Sequence, residues 1–215
     1  EHYDARLEQK DWSTADFDDS KWNGVGYRGA PSQNVVSQQV QPIRIVETIP
    51  ANTWKKINDS TYIFDFARNM SGVTRIKVSG ERLYDNGRVN TSNIDVYHRP
   101  VDDSDPFQTD ILILSGKGED EFMARFNYKG FRYVEVTSSK PIELQQNSLT
   151  AYFVHSDVPQ KGEISTSNPL VNRLWWATNN AYLSNLMGYP TDCPQREKNG
   201  WTGDGHFAIE TALYN

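Results

Sequence analysis

A single cysteine, Cys193, stands in this chain of 215 residues, which excludes an intrachain disulfide and a cysteine-cage metal site. Histidine is scarce as well. His2, His98, His155 and His206 are too scattered for ligand spacing, so no metal centre and no cofactor is expected. Basic residues are in the minority, with 22 Lys and Arg against 28 Asp and Glu and a net charge of -6. The densest acidic groups, Asp16, Asp18, Asp19 and Asp102, Asp103, Asp105, lie in loop-like contexts, and nucleic acid is an unsuitable partner for such a balance. No run approaches the roughly 20 apolar residues that cross a bilayer, and no charged start with an apolar core opens the chain at Glu1. The sequence enters mid-domain without Met, so an export signal would lie upstream; a secreted or periplasmic location is the expectation. No pattern speaks to oligomeric state.

What is present is the composition of a folded, water-soluble protein, 37% hydrophobic and 23% charged, long enough for one or two domains. Aromatics are generous at 12%, with 6 Trp, 11 Tyr and 9 Phe. Such rings fill cores and also serve as flat platforms for sugar faces. Residues 1–40 read as the tail of a preceding β-sandwich domain and a linker. Trp12, Phe17 and Trp22 recur there among Asp, Ser and Gly as anchoring rings beside an edge strand, and residues 30–41, rich in Ser, Gln and Val, make the connection.

From Ile43 to about Ser156, short β-branched and aromatic runs alternate with Asn, Asp, Gly and Pro, the pattern of an antiparallel β-sandwich over residues 41–158. Strands are predicted at Ile43–Ile49, Thr61–Phe66, Val73–Val78, Ile111–Leu114, Phe122–Phe126, Phe131–Val136 and Leu149–Phe153. Tyr62, Phe64 and Phe66 alternate with Ile63 and Asp65, so one face carries the rings. After a last strand at Gly162–Thr166, Ser167 is placed to cap a helix with Pro169 in its first turn. Leu170, Leu174, Ala177, Ala181 and Leu186 recur at helical spacing as far as Met187, and Gly188 and Pro190 stop the helix. A second helix has Asp204 in its first turn and a stripe of Ala208, Ile209, Ala212 and Leu213. Two helices with open inner faces do not close a core, so residues 159–215 are expected to begin a larger helical domain. The fold class is mainly β with a helical C-terminal part.

The most informative stretch is Thr191–His206, TDCPQREKNGWTGDGH, a polar loop between two helices. Asp192, Glu197 and Asp204 offer carboxylates, Arg196 can orient one of them, and Trp201 can pack against a pyranose face. Glycoside hydrolysis needs one protonated carboxyl at the leaving oxygen and an ionised one on the opposite side of the ring. The same residue types also have plain structural uses: Asp192 as a turn residue, Asp204 as a helix cap, Glu197 and Lys198 as solvated charges, Trp201 as core. Spacing alone leaves both open.

This loop resembles the signature of bacterial α-L-rhamnosidases of glycoside hydrolase family 78. QPIRIVETI at Gln41–Ile49, TYIFDFARNMSGVTRIKVSG at Thr61–Gly80, FNYKGFRYVEV at Phe126–Val136 and VHSDVP at Val154–Pro159 resemble the family in the same order. The resemblance implies a β-sandwich followed by the first helices of a truncated (α/α)6 barrel over residues 159–215, and inverting hydrolysis of terminal α-L-rhamnose from glycans or glycosides. It implies Glu197 as general acid, Asp192 and Asp204 as binders of the rhamnose hydroxyls that also shape the field at the reacting carbon, and Trp201 as a wall of the sugar pocket. Arg196 belongs to the motif and is expected to orient a carboxylate. Partial burial and the like charges of Asp192 and Asp204 are the expected means by which Glu197 keeps its proton.

Two departures from the family stand out. Many relatives carry an extra residue and a second acid between the Arg and the Gly before the Trp, whereas Glu197 is the one acid here. Relatives also continue through another strand after the equivalent of Gly80, where this chain runs straight into Glu81. The family's catalytic base is a Glu in later helices, which makes Glu210 the wrong candidate and leaves residues 1–215 alone without expected activity. A competing reading is a non-catalytic carbohydrate-binding sandwich; a purely structural sandwich that props up a catalytic barrel is the favoured role for residues 43–156.

Overall fold

The computed structural model describes residues 1–80, 87–90 and 108–215, with backbone alone for 87–90. Within them the β-branched and aromatic runs become β1 (His2–Asp4), β2 (Ile43–Pro50), β3 (Thr53–Asn58), β4 (Thr61–Ser79), β5 (Gly87–Asn90), β6 (Thr109–Ile113), β7 (Glu119–Met123), β8 (Lys129–Thr137) and β9 (Leu149–Ser156). Two helices follow, α1 (Pro169–Ser184) and α2 (Thr202–Tyr214). Residues 31–40 have no regular structure and are exposed throughout.

The alternation that starts at Tyr62, Phe64 and Phe66 runs on through Met70, Thr74, Ile76 and Val78, all buried. The two strands predicted at Thr61–Phe66 and Val73–Val78 are therefore one, 19 residues long. Its first half lies between β3 and β8, its second between β7 and β9. From β8 the sheet continues through β5 and β6 to β1 at one edge, and from β9 to β2 at the other. The β1–β6 pair is parallel. A sheet that changes partners along one strand folds into two layers, and both halves of β4 feed one core with Phe131, Val134, Val136, Leu149, Ala151 and Phe153. Tyr62 is fully buried, and its hydroxyl donates to the Ile142 carbonyl at 2.7 Å.

The change of partner is made at a bulge. Between Asp65 and Met70 on β4, the facing strand advances only from Tyr133 to Phe131, and the extra residues bend the strand. Ala67 adopts a φ of 64°, a left-handed conformation unfavourable for a residue with a Cβ. Asp65 holds it, its Oδ1 accepting the Ala67 amide at 2.7 Å. Arg132 on β8 donates to both oxygens of the same carboxylate at 2.9 and 3.0 Å. The Arg132 hydrogen bonds pull the Asp65 pKa below its ordinary value, against partial burial and with help from the Ala67 amide.

Several expectations shift. Gly162–Thr166 is not a strand; the Thr166 amide and hydroxyl bond instead to the Asn172 side chain at 2.8 and 2.9 Å. Asn168, not Ser167, caps α1, its side chain accepting the Leu170 amide at 2.9 Å, because Pro169 occupies the first helical position. The helix ends at Ser184 rather than Met187. The strand predicted at Phe122–Phe126 starts earlier and stops at Met123, leaving Phe126 91% exposed. β3, TWKKIN, was not predicted, since its lysines break the apolar pattern. His98, the acidic group Asp102, Asp103 and Asp105, and the join after Gly80 lie outside the described residues. α1 and α2 leave Leu170, Leu174, Phe207 and Leu213 exposed.

Two stability predictions follow from β4. A Cβ on Gly72 would sit 1.9 Å from the Tyr152 carbonyl oxygen of β9, so Gly72→Ala should destabilise the protein by about 1–3 kcal/mol in denaturant unfolding. The Asp65 pKa is depressed on folding, so its contribution is present above an unfolded-state pKa of about 3.9 and is lost as pH falls through the lower native value. Asp65→Asn should therefore unfold more easily than the parent at neutral pH, and thermal melts of the two should converge in strong acid.

Candidate active site

The motif loop starts where α1 stops. Asn185 is the C-cap, and its carbonyl accepts the Thr191 amide at 2.7 Å and the Thr191 hydroxyl at 3.0 Å, so the intervening residues form a closed turn. Gly188 supplies the left-handed φ of 83° that this turn requires. The turn is pinned to the end of β9: the Ser156 amide donates to Leu186, and the Gly188 amide donates to the Ser156 hydroxyl at 2.7 Å. Thr191 is thereby buried, and the chain leaves it in a fixed direction.

A second closure follows at once. Asp192 and Asn199 are joined twice, the Asp192 amide donating to the Asn199 carbonyl at 2.9 Å and the Asn199 amide to Asp192 Oδ1 at 2.8 Å. The Cys193 thiol donates to Asp192 Oδ2 at 3.0 Å, and the Glu197 amide points at the Cys193 sulfur at 3.3 Å. Partial burial by itself raises the Asp192 pKa. The Cys193 thiol and the amides of Asn199, Cys193 and Asp192 itself outweigh it, so this carboxyl is held below the ordinary Asp value.

Glu197 projects from the closed loop with 37% of its side chain exposed. The Arg196 guanidinium donates to its Oε1 at 3.0 Å, and the Trp201 indole N–H to its Oε2 at 2.8 Å. Trp201 is 55% exposed and precedes α2 as its N-cap residue. Asp204 lies in the first turn of α2, on the exposed surface. Among the described residues no hydrogen bond or ion pair joins Asp204 to Glu197 or Asp192.

The loop packs directly on the sandwich. A Cβ on Gly130, near the start of β8, would meet Pro194 Cγ at 2.8 Å and Gln195 Cβ at 3.0 Å. Gly200 similarly lets the chain pass the Tyr189 ring, which a Cβ would meet at 2.9 Å. Lys198 reaches back to the segment before β8, donating to Asn127 Oδ1 at 2.6 Å and the Tyr128 carbonyl at 2.5 Å, with its ammonium 4.1 Å from the centre of the Tyr128 ring. Burial, reinforced by the charge of Lys129 and opposed by Asp110 and Cys193, pulls the Lys198 pKa down to about 8.

Of the residues singled out in the sequence, Arg196, Glu197 and Trp201 form one bonded group, Asp192 joins it through Cys193, and Asp204 stands apart. The company expected for Glu197 was two carboxylates; its bonds go instead to a guanidinium and an indole. Trp201 is not a core ring, and Lys198 is not a solvated charge. Lys198, Asn127 and Gly130 escaped the sequence because nothing in their spacing shows that two distant segments meet. Among the described residues no three metal-ligating side chains cluster, and no helix is long and apolar enough to cross a membrane.

Comparison with known proteins gives matches along nearly the whole chain. Residues 1–47 match the profile described as the α-L-rhamnosidase N-terminal domain, residues 55–155 that of the bacterial α-L-rhamnosidase concanavalin-like domain, and residues 159–215 that of the bacterial α-L-rhamnosidase 6 hairpin glycosidase domain. An α-L-rhamnosidase of Streptomyces avermitilis is 33% identical over 229 aligned positions, covering 100% of this chain and 21% of that protein. The structure of α-L-rhamnosidase from Dictyoglumus thermophilum superposes with a TM-score of 0.87 at 34% identity, covering 100% of this chain and 25% of the other. The Streptomyces avermitilis α-L-rhamnosidase complexed with L-rhamnose gives a TM-score of 0.78 at 32% identity, covering 94% of this chain and 20% of the other. The chain thus spans about a fifth to a quarter of the length of these relatives. With three successive domain profiles of one family matched in order, the chain belongs to the bacterial α-L-rhamnosidase family.

Proposed function

We propose that the protein containing this chain removes terminal α-L-rhamnose from glycans or glycosides by single-displacement hydrolysis with inversion, and that Glu197 is its general acid. The observation that carries this proposal is the twice-closed loop of residues 192–199, which presents the Glu197 carboxyl to solvent on a fixed backbone between two carboxylate-binding donors. Protonating the glycosidic oxygen requires such a group, reachable from outside and held in one orientation. The Trp201 N–H on Oε2 and Arg196 on Oε1 set the plane of the carboxyl.

Asp192 takes a different part. A carboxyl held ionised by a thiol and backbone amides accepts hydrogen bonds and does not deliver protons, which suits binding of sugar hydroxyls. Trp201 offers an exposed ring for the apolar face and methyl group of the sugar, and Asp204 is assigned a share of the hydroxyl contacts from the start of α2. Inversion needs a second carboxylate about 6.5–9.5 Å from the first to activate water, and we assign that base to a Glu outside residues 1–215, as the family resemblance implies. Residues 1–40 are then the tail of a preceding sandwich and a linker, 41–158 the supporting sandwich, and 159–215 the opening of the catalytic (α/α)6 domain. A secreted or periplasmic location fits glycan substrates.

Two substitutions in the whole protein test the assignment. Glu197→Gln should lower kcat on an alkyl α-L-rhamnoside by about 10²–10⁴-fold with an unchanged far-ultraviolet circular dichroism spectrum; undiminished turnover would remove Glu197 from the mechanism. Asp192→Ala should lower kcat/KM by about 10- to 150-fold, the equivalent of one charged hydrogen bond worth roughly 1.5–3 kcal/mol. Steady-state kinetics across a substrate series checks this, and a wild-type kcat/KM in the variant would exclude Asp192 from substrate binding.

A further inference from the structure

We infer that Lys198 is a positioning residue for Glu197, a clamp that ties the acid-bearing loop to the β-sandwich and makes proton delivery depend on the neighbouring domain. The inference rests on the assignment of Glu197 as the acid. Three consecutive residues divide the work: Glu197 faces out, Lys198 faces the sandwich, and Asn199 closes the loop on Asp192. The Lys198 ammonium donates to Asn127 Oδ1 at 2.6 Å and to the Tyr128 carbonyl at 2.5 Å, and stands over the Tyr128 ring at 4.1 Å.

These three contacts are made to the segment leading into β8. The backbone at Lys198 has a φ of 57°, a left-handed conformation unfavourable for a residue with a Cβ. A glycine or asparagine fits that backbone better, so lysine at this position is explained by what its side chain reaches. Two residues beyond Tyr128, Gly130 lacks a Cβ where Pro194 and Gln195 press against it, so the loop is seated on the sandwich on both flanks of Glu197. An acid fixed by its neighbour on the chain loses its aim when that neighbour lets go, and a displacement of about 1 Å suffices to cost on the order of 10²-fold in rate.

The experiment uses the whole protein and two substrates. Ethyl α-L-rhamnoside has a leaving group that needs a proton; 2,4-dinitrophenyl α-L-rhamnoside does not. Lys198→Asn keeps a residue that accepts the left-handed backbone but cannot reach Asn127. It should lower kcat/KM on the ethyl glycoside roughly 10- to 100-fold and leave the dinitrophenyl glycoside within about threefold of wild type. Lys198→Arg should recover most of the loss. Asn127→Leu, on the sandwich side, should show the same selectivity, and the double variant should be no worse than Lys198→Asn alone.

Glu197→Gln, run in parallel, separates the two ideas. If it shows the leaving-group dependence and Lys198→Asn slows both substrates equally or neither, the clamp is overturned and the acid assignment stands. If Glu197→Gln itself spares the ethyl glycoside, the acid assignment falls and the clamp with it. A lowered melting temperature in Lys198→Asn with equal losses on both substrates would mark a merely structural lysine and also overturn the proposal.

Discussion

The bend in β4 sets what the rest of this structure can do. One strand of 19 residues serves two layers because the Asp65 carboxylate stabilises the turn at Ala67 and is gripped by Arg132 from β8. Beyond the bulge, Met70, Ser71 and Gly72 face Phe131, Gly130 and Lys129. That pairing brings the start of β8 to the middle of the sheet, and Gly130 there is the floor on which the motif loop lies. The bulge also presents the Asn69 carbonyl to Asn180 of α1 at 2.9 Å. Helix and loop are thus both referred to the paired residues of β4 and β8 at the bulge.

The motif loop is held still without being buried, by backbone closure together with its seat on the sandwich. The chain between Asn185 and Thr191 is closed by amide and hydroxyl donors, and the chain between Asp192 and Asn199 by a reciprocal pair. Few apolar contacts are needed, which leaves Glu197 and Trp201 accessible. Holding Lys198 at a left-handed φ costs on the order of 1 kcal/mol. Two charge-assisted hydrogen bonds in a partly desolvated cleft, and the face of an aromatic ring, are sufficient to offset it.

Much of the fold was legible because burial on one face writes a period of two. Tyr62, Phe64 and Phe66 announced the core face, and the helical spacing after Pro169 announced α1. What failed were features set by partners. The merging of two predicted strands into β4 depends on a bulge, and a bulge has no periodicity. Gly162–Thr166 has strand-like residues but a side chain of α1, Asn172, satisfies Thr166 instead. Ser167 and Asn168 are both good caps, and only the position of Pro169 decides between them. In the motif, residue types and order named the chemistry through a resemblance, while spacing could not tell a turn aspartate from a loop-closing one. The Asp192 to Asn199 closure spans seven positions, and the Lys198 to Asn127 contact spans 71.

The distinction between the two carboxyls of the loop is where the structure bears hardest on mechanism. Both oxygens of Asp192 are occupied from within the loop, one by the Asn199 amide and one by the Cys193 thiol, and these donors favour its anion. Such a group cannot hold a proton for a departing oxygen without first breaking the bonds that close the loop. Glu197 carries no structural duty of that kind: its carboxyl partners are the side chains of Arg196 and Trp201, which can move while the backbone stays closed. Under the proposed mechanism the acid therefore moves as a side chain while Asp192 keeps the backbone of the loop closed.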